Sequence, residues 1–226
     1  HYVALARKTG EKPSGDVWPE AIQYTAISFA DETWGGVERA KAWFERTGRR
    51  PYEAEVFARL GDAYFDETKY GLAVEAYKQV LLAAPLSPDA PKVQAKIVLA
   101  WSRDRQFDKE AEERERLVAT YSEGTPWWTK NKGDPDLVAA VRELTERGLL
   151  RAASFHHAQA QAYKADGKLE AAVAQYRVAA RAYGDYLARF QEIRGRLPRL
   201  KAIVVMEPGA AGGDGVLAWP ELLARG

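Results

Sequence analysis

The stretch LGDAYFDETKYGLAVEAYKQVLLAAP, residues 60–85, places Gly61, Tyr64, Ala73, Tyr77 and Pro85 at intervals that fit neither a lone amphipathic helix nor a strand. Two antiparallel helices pack closely only where one presents Gly or Ala to a bulky residue on the other. Gly61 and Ala73 suit those close-approach points, and Phe57, Tyr64 and Tyr77 fill the space around them. Pro85 stops the second helix because it cannot donate the next backbone hydrogen bond. The spacing predicts a helical hairpin. One hairpin cannot bury its apolar faces alone, so it demands neighbours of the same kind.

The rest of the chain supplies them. From 21 to 190 it reads as helix after helix, with predicted helices at 18–31, 36–47, 52–67, 70–84, 89–104, 107–121, 135–165 (bent or broken) and 168–190. In HHAQAQAYKADGKLEAAVAQYRVAARAY, residues 156–183, Ala160, Tyr163, Gly167, Ala172, Tyr176 and Ala179 repeat the pattern, with departures at His156 and Gln159, where Phe57 and Leu60 would recur, and at Gly184, where Pro85 would. Residues 92–121 have the same helix–turn–helix length. If Ala111 answers Ala73 there, Trp101 and Phe107 each stand one place off register and Glu115 takes the aromatic position. Residues 31–51 offer Gly35, Ala40 and Phe44, but Asp31 replaces the tyrosine.

Phe57, Leu60, Gly61, Tyr64, Ala73, Tyr77 and Pro85 together resemble the tetratricopeptide repeat, with Val80 the one departure, where a small residue is usual. The resemblance covers about residues 20–190. Its best units are 54–87 and 153–186, its degenerate units 21–51 and 92–121, and 122–136 is an insertion. It implies an all-α domain over 1–190 in which antiparallel helical hairpins stack as a right-handed superhelix. It also implies a concave groove, lined by the first helix of each hairpin, that holds a peptide or helix of another protein. On that register the groove residues are Glu55, Ala58, Asp62, Phe65 and Asp66 in the best unit and Ser154, His157, Gln161, Lys164 and Ala165 in the last. The middle unit adds Lys96, Arg103 and Asp104. Such a groove is acidic at Asp62 and Asp66 and more basic towards Arg103 and Lys164.

The insertion contains Gly124, Pro126, Gly133 and Pro135, so it reads as a loop before a helix capped by Asp134 or Asp136. Its Trp127 and Trp128 are candidate interface anchors; the competing and favoured reading has them cover the gap left by the broken repeat. Residues 191–226 form an irregular tail with one short strand signal at 202–206, a Gly-rich loop and a short helical ending. The strand has no evident sheet partner, and the tail is expected to be the least ordered part or to lie as an arm on the helices. LPRLKAIVVME and DGVLAWPELLARG resemble a fragment of the long-chain fatty acyl-CoA ligase family. The Ser/Thr/Gly-rich phosphate loop and downstream acidic and lysine residues of that family are missing here, so its chemistry does not carry over.

Composition narrows the function classes. Lys and Arg number 33 against 32 Asp and Glu, so no bulk field holds nucleic acid or an anionic membrane. No apolar run approaches the roughly 20 residues that span a bilayer, so direct membrane insertion is not expected. There is no cysteine, which removes disulfides and thiolate chemistry together. His156 and His157 are adjacent and point about 100° apart on a helix, so they do not chelate one metal. Carboxylates such as those in DKEAEERERL, residues 108–117, alternate with Lys and Arg as in a solvated helix face. No cofactor, metal site or catalytic residue is implied.

The expected function is a non-enzymatic scaffold for protein partners. A structural or oligomerisation segment of a larger chain is the alternative, and a remnant of an acyl-CoA ligase-type enzyme comes behind both. Homo-oligomers fit either of the first two. The lead-in PEAIQYTAISFADE, residues 19–32, resembles bacterial cell-envelope assembly proteins, which points to the periplasm or envelope, with the cytoplasm as the alternative. The chain begins with His1, as a processed product or an excised segment would.

Overall fold

A computed structural model describes residues 17–31, 35–194, 203–205 and 216–218. Its helices are α1 (Val17–Ala30), α2 (Gly36–Thr47), α3 (Glu53–Asp66), α4 (Tyr70–Ala83), α5 (Ala90–Arg103), α6 (Phe107–Tyr121), α7 (Pro126–Asn131), α8 (Pro135–Ala165) and α9 (Leu169–Arg194). Two short strands follow, β1 (Ile203–Val205) and β2 (Val216–Ala218). The described chain is thus an all-α helical repeat with a small β appendage.

The hairpins close as their spacing predicts. An ideal Cβ on Gly61 would stand 2.5 Å from the Tyr77 ring, so only glycine lets α3 and α4 approach this closely. Val56, Phe57, Leu60, Tyr64, Ala73, Tyr77 and, from α2, Phe44 are buried in one cluster around that contact. α4 ends at Ala83, two residues before Pro85. Each hairpin then packs on the next, α4 on α5, α6 on α8, while α1 lies chiefly along α3.

Three hairpins turn in the same way. The amides of Lys69, Gln106 and Lys168 donate to the carbonyls of Tyr64, Trp101 and Tyr163 at 2.8, 2.9 and 2.9 Å. Before each donor sits a left-handed residue: Thr68 at φ 61°, Arg105 at φ 57° and Gly167 at φ 75°. This is the αL closure of helix ends, in which a backbone donor satisfies a terminal carbonyl. It corrects the register of 92–121. Trp101 stands where Tyr64 and Tyr163 stand, and Phe107 opens its helix as Tyr70 and Leu169 open theirs. Ala111, not Trp101 or Phe107, is the residue out of step.

The same unit departs from the sequence in one further respect. Glu110 and Arg114 pair on α6 while partly buried, and Glu113 is buried outright, so this is not the solvated face expected of 108–117. The Glu113 carboxylate accepts from Gln94 Nε2 at 2.7 Å and pairs with Lys78 Nζ at 3.1 Å. A buried charge needs such partners, and here they tie α4, α5 and α6 together.

The insertion is more structured than a loop. Thr125 caps α7 by accepting from the Trp128 amide, and Pro126 fills its first turn. Asp134 accepts from the Leu137 amide at 3.1 Å and caps α8. Helix α8 runs 31 residues unbroken, where a bend or break was expected. Gly148 on it lets α6 come near, since a Cβ there would lie 3.2 Å from Leu117. Helix α9 continues past 190 to Arg194.

The strand signal at 202–206 does have a partner. β1 pairs in parallel with β2, Ile203 opposite Val216 and Val205 opposite Ala218. The segment expected to end the chain as helix therefore contributes a strand at 216–218. The tail's expected order and its placement on the helices otherwise lie outside the described residues.

Candidate interaction surface

Helices α1, α3 and α5 share one face of the array, and two adjoining hollows run along it. One, about 260 Å³, lies between α1 and α3 and is lined by Trp18, Ile22, Glu55 and Ala58. The other, about 430 Å³, extends across α3 to α5, with Phe65, Asp66, Lys96 and Leu99 on its walls. Arg59 and Asp62 line both, so the hollows form one trough.

The trough floor is fixed by hydrogen bonds from three helices. Trp18 Nε1 donates to Glu55 Oε2 at 2.7 Å. The Tyr77 hydroxyl and Lys96 Nζ both donate to Asp62 Oδ1, at 2.7 and 2.5 Å. Lys96 Nζ also lies 5.5 Å from the Tyr77 ring centroid. Burial, and then the bond to Asp62, push the Tyr77 hydroxyl far above the ordinary phenol range. Tyr77 therefore keeps its proton and serves as a donor that orients the carboxylate.

This arrangement redistributes the expected charge. Asp62 is matched by Lys96 and is not a free acid. Arg59 and Asp66 are exposed, line the trough and form no ion pair among the described residues. They stand beside Leu99, which is 44% exposed, and half-buried Phe65, whose ring packs edge-on against Tyr70 at 5.3 Å.

The trough thus unites Glu55, Ala58, Asp62, Phe65, Asp66 and Lys96 of the sequence-derived groove. Arg103 and Asp104 are exposed at the α5–α6 turn, outside its lining. His157, Gln161, Lys164 and Ala165 are on α8, which packs on α6, α7 and α9. His157 lies edge-on to Tyr176 and Tyr183, with its Nε2 3.2 Å from Gln161 Nε2. Ser154 lines a separate hollow of about 260 Å³ with Phe107, Arg151 and Phe155. His156 bridges Gln175 at 2.6 Å and Glu115 at 2.7 Å.

Trp127 and Trp128 are buried, which overturns their candidacy as interface anchors because neither ring is open to a partner. Trp127 Nε1 donates to the Ser87 carbonyl at 2.6 Å and its ring meets Tyr121 edge-on. They close the gap beside α6, as the covering reading expects. Sequence reasoning missed Arg59, Leu99 and Gln23 in the trough. Leu99 was missed because the register of its unit rested on Ala111; the repeated turn aligns it with Asp62.

Among the described residues, no three His, Asp or Glu side chains gather as a metal site would require, and no helix is long and apolar enough to cross a membrane. A family model for the tetratricopeptide repeat matches residues 54–85. No curated protein sequence matches the chain.

Proposed function

We propose, from the premise that this is a helical-repeat protein carrying a tetratricopeptide repeat, that it is a scaffold whose α1–α3–α5 trough holds an elongated segment of another protein. Tetratricopeptide repeats are typically interaction modules without catalysis, and that general role is the ground for the reading. The observation that carries the specific site is the pair of unmatched charges, Arg59 and Asp66, flanking exposed Leu99 and half-buried Phe65. A peptide or helix with an apolar anchor, an acid to meet Arg59 and a base to meet Asp66 fits this arrangement. Exposed charges of this kind steer and select a partner, and their contribution falls with salt.

The test is selection of 15-residue peptides, about four helical turns, from a displayed random library on the intact chain. Enriched sequences should combine an apolar residue with an acid. Arg59→Glu should weaken them by about tenfold or more, the cost of roughly 1.4 kcal/mol, and Asp66→Lys should shift the enriched charge pattern. Lys164→Glu, on α8, should leave them unchanged. Peptides that bind Arg59→Glu and Phe65→Ala as well as the parent would place recognition elsewhere.

A further inference from the structure

The face by which α4 takes up α5 has a counterpart on α9. In the shared hairpin register, Tyr70, Val74 and Tyr77 correspond to Leu169, Val173 and Tyr176. Val74 is 2% exposed and lies in one cluster with Val93, Ile97 and Ala100 of α5, whereas Val173 is 48% exposed and Leu169 65%. Leu169, Val173, Ala180 and Leu187 are exposed and follow one another at helical spacing as one stripe, while Tyr176 and Tyr183 at its side pack against His157 of α8. Arg177 and Arg181 stand beside it, exposed and without an ion pair among the described residues, with Glu170 on the same side.

At the other end, α1 buries Ile22, Ala26 and Phe29 in the core. Its opposite side presents Glu20, Tyr24 and Ile27 at the same helical spacing, with Tyr24 70% and Ile27 48% exposed. No basic residue occurs from 17 to 31. One end therefore offers an apolar pair beside Glu20 on a helix without basic residues, and the other an apolar stripe beside two arginines.

We propose that the chain self-associates head to tail, α1 of one copy seating on the α9 stripe of the next as α5 seats on α4. The contact is heterologous, so copies add in a row unless the rotation closes a ring. It leaves most of the trough open, since Trp18 and Ile22 of α1 face the other way and only Gln23 of its lining stands beside the contact.

Analytical ultracentrifugation of the whole chain from about 5 to about 200 µM, a range that brackets a micromolar contact, tests this. The average mass should rise above the monomer with concentration and fall again with added salt. Tyr24→Glu and Val173→Glu should each be monomeric, with thermal unfolding like the parent's. Mixed in equal amounts they should form a one-to-one dimer and nothing larger, because one keeps an intact α9 and the other an intact α1. Arg181→Glu should weaken assembly by about tenfold, and adding Glu20→Lys should recover part of the loss. A parent chain that stays monomeric throughout, a Tyr24→Glu variant that assembles normally, or a mixture that stays monomeric would overturn the proposal.

Discussion

Residues 54–87 and 153–186 follow one pattern but use it differently. In the first, Gly61 admits the Tyr77 ring, which is buried and bonded to Asp62. In the second, Ala160 takes the glycine's place and Tyr176 is only half-buried, edge-on to His157. The first unit has neighbours on both sides, α1 and α2 before it and α5 after it. The second is packed on one side by α6 and leaves its outer stripe exposed. Neighbours, more than sequence, decide how strictly the pattern is enforced, because only a surrounded hairpin must fill every contact.

One charge placed at the corresponding position of each unit separates the two most strongly. Val74→Glu should cost about 3 kcal/mol or more, an unpaired charge in the core, while Val173→Glu should stay within about 0.5 kcal/mol. Equal losses in urea unfolding would mean the α9 stripe is not exposed in solution. Gly61→Ala should come next, at about 1–3 kcal/mol from overpacking against Tyr77. Ala160→Gly should cost only about 1 kcal/mol, the helix propensity difference.

The pH dependence sharpens the same contrast. Burial pushes the Tyr121 hydroxyl up to about 12, and Tyr77 is shifted in the same direction with burial again the first cause. A raised folded pKa leaves stability fully present below the unfolded value, 10.0, and lost as pH rises beyond it. Urea midpoints should therefore be level up to about pH 9 and fall by about pH 11. Tyr77→Phe should fall less steeply over that interval; an identical slope would show that the hydroxyl at Asp62 has no such role. The turns give a contrast of opposite sign. Thr68→Gly should stabilise by about 0.5–1 kcal/mol, and Gly167→Thr should cost about 1–2 kcal/mol, because only glycine adopts the left-handed region without strain.

Much of the helical framework is legible in the sequence, since Gly61, Ala73 and Pro85 act through local size and backbone chemistry. The helix boundaries follow to within a few residues on the same ground. The short α7 was hidden by the Gly and Pro residues around it, although Thr125 before Pro126 is a cap signal. The trough is half legible. Its α3 residues follow from the helix period, but Leu99 required the turn at Arg105 to set its register.

By itself, then, the sequence determined that this chain is a series of helical hairpins, because the spacing of small and bulky residues permits no other close packing. Tertiary structure alone decided which charges are free. Asp62 and Lys96 are 34 residues apart, and nothing local foretells that they meet and leave Arg59 and Asp66 unmatched. It likewise decided that Trp127 is buried against Ser87, 40 residues away. Whether a side chain is matched or covered depends on what packing brings beside it, and that is a property of the array.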